Sequence, residues 1–107
     1  MSNDIHFPFS ERFRVAAEAW VDAENAAQLL EDTKSIVMAQ RQAQLGDIPV
    51  NRAEQMIKAS PDWETYVKAI VKARTEANLA KVRMETERLR FMENQSREAN
   101  ARAEMKL

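Results

Sequence analysis

The sequence contains no cysteine. Disulfides, thiolate chemistry and cysteine-based zinc sites are thereby excluded, and a cytoplasmic setting is the expectation. Glycine occurs once and proline three times in 107 residues, against an ordinary glycine share of about 7%. Sheets need glycine-type turn chemistry at many corners, so a strand-rich fold is excluded. No apolar run approaches the roughly 20 residues of a membrane span, and no membrane partner is expected. Residues 1–8 hold neither a basic residue nor an apolar stretch, so they do not read as a signal peptide. Nor is there a charge excess of one sign. The formal net charge is −1, which gives no general attraction to nucleic acid or acidic membranes.

What is abundant is the set of strong helix formers: Ala, Glu, Arg, Lys, Met, Gln and Leu. The expected fold class is all-α. Alanine inflates the 45% hydrophobic share, and aromatics are only 7%. Large apolar side chains are therefore few, and a homo-oligomer that completes its burial between subunits is expected. Charge is unevenly spread. Residues 1–59 carry six Lys/Arg against nine Asp/Glu, and residues 60–107 carry ten against eight.

Residues 1–10 read as an irregular arm. Pro8 disfavours helix at Phe7, and Ser10 is a candidate N-cap. A first long helix is predicted over 11–44, with Phe13, Ala16, Trp20, Ala23, Ala27, Leu30 and Val37 on a 3,4-spaced stripe interrupted by Lys34. Gly46 stands where a left-handed residue ends a helix, and Gly46-Asp47-Ile48-Pro49 is the one strong break. Asn51 and Glu54 read as a capping box that starts a short helix. Ser60-Pro61 then supplies a second start, Ser as cap and Pro at the first helical position.

From Pro61 no breaker occurs, and a second long helix is predicted to about residue 100. Trp63, Ile70, Ala77, Met84 and Phe91 recur every seven residues, with Tyr66, Ala73 and Ala80 as the partner row, which fails at Glu87. Trp20, Leu30, Trp63, Tyr66, Ile70, Met84 and Phe91 are the candidate core and assembly residues. Alanine in the middle of both helices predicts close approach there, and a single connection predicts an antiparallel hairpin over residues 11–92. Residues 93–107 form a polar extension, either an exposed helix that frays or a disordered tail. Lys34, Arg41 and Glu87, the polar members of the stripes, mark helix ends, a subunit interface or simple exposure.

Catalysis needs a nucleophile, an acid–base group or a metal held in a pocket. His6, the one histidine, lies in the arm without a ligand partner at metal spacing. Glu18–Asp22 and Glu24–Asp32 are the nearest approach to a metal-ligand pattern, without a histidine or a calcium loop beside them. A phosphate-cradling glycine loop is absent. The chain therefore reads as non-enzymatic, with no cofactor. A basic stripe carries more chemistry. At 100° per residue, Lys68, Lys72, Arg83, Arg90 and Arg97 fall within a sector of about 60° on the second long helix. Such a row can neutralise phosphates, although Glu76, Glu87 and Glu93 between them also fit an ordinary solvated face. Trp20, Trp63 and Tyr66 are the residues able to stack on bases, but their place on the apolar stripes favours core packing.

The segment AEAWVDAENAAQLLED, a polar break and then Ser60-Pro61-Asp62-Trp63-Glu64-Thr65-Tyr66 opening an Ala/Arg-rich helix resemble small helical phage and prophage proteins. The pattern over residues 18–92 is similar to the phage recombination mediators of the UvsY type. The resemblance implies a helical hairpin that assembles into a ring, binds single-stranded DNA and helps load a recombinase in a bacterial cytoplasm. A second reading is a small phage inhibitor or adaptor that docks a helix face on a host protein. A third is a purely structural oligomer.

Overall fold

The computed structural model describes residues 8–106. Three helices make up the fold: α1 (Phe9–Gln44), α2 (Val50–Lys58) and α3 (Pro61–Met105). The described residues contain no strand. The chain is an all-α helical hairpin, and its contacts divide between two units. One holds the chain up to Asp22 together with Asn78 onward; the other is Ala23–Ala77.

The helix boundaries follow the expected punctuation in two places. Gly46 has φ 77, the left-handed conformation that closes α1, and its amide donates to the Ala43 carbonyl at 3.2 Å. The Ser60 hydroxyl accepts from the Trp63 amide at 3.3 Å, so it caps α3 with Pro61 at the first helical position. It also donates to the Ile57 carbonyl at 2.6 Å, tying the end of α2 to the start of α3.

Three boundaries differ. Helix α1 begins at Phe9 because the Arg12 amide donates to the Pro8 carbonyl at 3.0 Å, so Ser10 lies inside the helix rather than capping it. The arm therefore ends before residue 10, and residues 1–7, including His6, lie outside the described residues. The Asn51–Glu54 capping box is not used. Pro49 takes the cap position, α2 starts at Val50, and no side chain caps it. Proline's fixed φ of −53 suits that position, and Ala53 donates to the Pro49 carbonyl at 2.9 Å. Finally, α3 continues to Met105, past residue 100, as one uninterrupted helix with an exposed polar end.

In the Ala23–Ala77 unit, the second half of α1 meets α2 and the start of α3. Its buried side chains are Ala27, Ala53, Ile57, Trp63, Ile70 and Ala77. Ala27 and Ala77 are each 0% exposed, so the alanine positions are sealed by neighbouring atoms. Their methyl groups set how closely the helices approach. Ala77→Leu forces extra volume into that contact and is expected to cost about 1–3 kcal/mol. Urea unfolding followed by helix ellipticity checks this, and an unchanged midpoint contradicts the tight contact.

Contact order within this unit is antiparallel: Glu31 meets Arg74, and Arg41 meets Trp63. Arg74 donates from Nε to Glu31 at 2.8 Å and from Nη1 to Glu24 at 2.6 Å. These hydrogen bonds hold the Glu31 carboxyl below its usual value of 4.5 and raise the Arg74 guanidinium. A carboxyl depressed in the folded state adds stability above its unfolded pKa and loses it as pH falls through the folded one. Thermal midpoints of the protein should therefore drop as pH falls below about 4.5, and Arg74→Met should flatten that part of the profile. Parallel profiles for the two proteins would show that this cluster does not couple to folding.

In the other unit, the first part of α1 lies antiparallel against the second part of α3. Phe13 and Phe91 rings sit 6.2 Å apart, and Lys81 lies 5.8 Å from the Trp20 ring centre. Among the described residues Ala80 is buried here, whereas Phe13, Trp20, Met84 and Phe91 are half-buried. Over those residues this unit has the thinner core.

Candidate functional site

The five cations of the predicted stripe are all solvent-exposed on α3, but their surroundings differ. Lys68 pairs with Glu64 at 3.0 Å, one turn back on the same helix. Arg90 donates from Nη1 to Glu87 at 3.0 Å. Lys72, Arg83 and Arg97 form no ion pair among the described residues. Exposed i,i+3 and i,i+4 pairs are weak and exchange readily for another anion, so Lys68 and Arg90 remain available to a phosphate.

The stripe divides between the two units. Lys68 and Lys72 belong to Ala23–Ala77, and Arg83, Arg90 and Arg97 belong to the other. In the latter, α1 contributes what the sequence reading missed. Arg12 joins Arg83 and Arg90 around a groove of about 600 Å³ between α1 and α3. Ala16, Ala19 and Ala80 also line it. Small side chains on both helices leave this space open, and the longer arginines stand around it. In the sequence nothing local ties position 12 to position 83.

Glu87 shares this groove. Its carboxylate is held on one oxygen by Arg90, and Oε2 is buried without a partner among the described residues. The break in the apolar row at Glu87 thus falls at a groove wall and not at a helix end. Arg41 has a different explanation. Its guanidinium lies 5.5 Å from the Trp63 ring and 5.8 Å from the Tyr66 ring, covering both aromatics at the far end of α1. Lys34 is exposed.

The structure places the aromatic candidates in packing rather than on an open face. Trp63 is 5% exposed, and Tyr66 is half-buried with a ring centre 5.3 Å from that of Trp63. The face of Trp20 is occupied by Lys81. Among the core candidates, Ile70 is buried; Leu30, Met84 and Phe91 are half-buried.

Three of the four carboxylates singled out as possible metal ligands are engaged elsewhere. Glu18 accepts from Arg14 at 2.8 Å, Glu24 from Arg74, and Asp32 from the Gln28 amide at 2.9 Å. Among the described residues no group of three metal-ligating side chains occurs. None of the described helices is long and apolar enough to cross a membrane.

The fold and site define an all-α helical hairpin that carries an exposed basic face on its longest helix. No protein-family model, curated protein or solved structure matches the chain.

Proposed function

We propose that the protein is a non-enzymatic accessory protein of phage-type recombination that binds single-stranded DNA as an oligomer. Lys68, Lys72, Arg83, Arg90 and Arg97 neutralise phosphates, and a recombinase is the expected protein partner. The observation that carries this reading is the gathering of Arg12, Arg83 and Arg90 around one groove, with Arg83 outside any ion pair among the described residues. Phosphate contact requires cations at suitable spacing and no sequence code, so this arrangement suits a backbone reader. The near-neutral net charge limits the attraction of a single chain. Assembly multiplies a weak track through avidity, which is why the oligomer belongs to the proposal.

The test is a titration of the protein into a fluorescently labelled single-stranded oligonucleotide at low salt, read by anisotropy. A saturable rise supports the reading. No rise at micromolar protein would remove it and favour the adaptor reading, in which a helix face docks on another protein.

A further inference from the structure

We propose that α1 carries a second apolar stripe, within the Ala23–Ala77 unit, on which a second copy of this chain packs with the two α1 helices antiparallel. The stripe is Ala26, Leu29, Thr33 and Ile36, spaced 3, 4 and 3 and therefore on one face of the helix. That face lies about 110° round the helix from the one that holds Ala27 and Leu30. A helix with two apolar faces belongs to a bundle of more than two helices.

Leu29 is 64% exposed and Ile36 is 54% exposed, so neither is used by the hairpin itself. The surface around them is poor in charge. Between Asn25 and Gln40 the exposed residues are uncharged except Asp32 and Lys34, in a chain that is 31% charged. Asp32 is already bonded by Gln28. A face with so little charge is not steered toward a charged partner such as nucleic acid.

The order of sizes selects the occupant. Large Leu29 and Ile36 alternate with small Ala26 and Thr33. The Thr33 hydroxyl donates to the Leu30 carbonyl at 3.2 Å within its own helix, leaving its methyl group for packing. Antiparallel pairing about a twofold axis sets Leu29 of one copy against Thr33 of the other, and Ile36 against Ala26. Every layer then joins one large and one small side chain, the pattern that fills an interface evenly. Parallel pairing would set Leu29 on Leu29 and Ala26 on Ala26, alternately overfilling and underfilling the layers. The stripe is thus complementary to itself in one orientation.

This inference does not depend on DNA binding and is tested without DNA. The mass in solution is measured by light scattering for the native chain and for Leu29→Glu/Ile36→Glu. The native chain should be at least a dimer, and the variant should shift to 12.3 kDa with its helical ellipticity retained. Because the chain has no cysteine, Leu29→Cys and Thr33→Cys chains can be mixed and oxidised without competing links. The link between positions 29 and 33 should dominate, whether the assembly is a dimer or larger. A monomeric native chain, an oligomer indifferent to Leu29→Glu/Ile36→Glu, or dominant 29–29 links would each overturn the proposal.

Discussion

Trp63→Ala should remove about 3–5 kcal/mol of stability, the usual cost of truncating a buried aromatic to alanine. Trp63 is 5% exposed, and its ring centre lies 5.3 Å from that of Tyr66. Truncation leaves a cavity that the surrounding side chains close only in part. Loss of the indole also removes one of the two rings that the Arg41 guanidinium covers. Small domains hold only about 5–15 kcal/mol, so the loss is a large share of the total. Urea unfolding followed by helix ellipticity should show a sharply lower midpoint with a similar slope. Trp20→Ala is the informative comparison. That ring is half-buried in the thinner unit, and its removal should cost less. Equal costs at the two positions would contradict the assigned difference between the cores.

Arg83→Glu/Arg90→Glu should weaken single-stranded DNA binding by on the order of a hundredfold, since each reversal turns an attraction into a repulsion. Both side chains stand at the same groove and lie one heptad apart on α3. Both are exposed, so the substitution should leave helicity unchanged. Reversing Arg52 and Lys58 on α2 changes the net charge equally and serves as the control. Binding lost in both variants would mean that overall charge matters and the stripe does not. Binding retained in Arg83→Glu/Arg90→Glu would remove those two residues from the site.

Much of this fold is legible in the sequence because its determinants are local. Gly46 and Ser60-Pro61 punctuate the chain through their own backbone chemistry, and both act where their residue types predict. The sevenfold recurrence from Trp63 is equally local, and its first three members are buried. The boundaries that differ arise from competition between neighbouring signals. Asn51 and Pro49 both offer a start for α2, and the proline's fixed φ prevailed over a side-chain cap. Ser10 met the same fate when the chain became helical one residue earlier.

Other features are not local. Arg74 bonds Glu24 and Glu31 across sequence separations of 50 and 43 residues. Nothing in the spacing of either segment selects that partner from the other arginines. Ala53 and Ile57, four apart on a nine-residue helix, were too short a pattern to read as core, yet they are buried. The groove is a further case. Its Arg83 and Arg90 are visible as part of a basic helical sector, but Arg12 enters only through the pairing of α1 with α3. The second apolar face of α1 was obscured for a different reason. The first stripe accounts for the larger aromatic residues, and the remaining Leu and Ile look like scattered surface residues until their exposure is known.

Whether cations on one helix face hold single-stranded DNA is tested most directly by the salt dependence of binding. Each phosphate neutralised on a single strand contributes about −0.7 to the slope of log affinity against log salt. Contacts by three to five of the stripe cations predict a slope between about −2 and −3.5 per chain for the native protein. Arg83→Glu/Arg90→Glu should lower its magnitude by at least about 1.4. Binding that is absent at low salt, or that is unchanged across the salt series, would contradict the account.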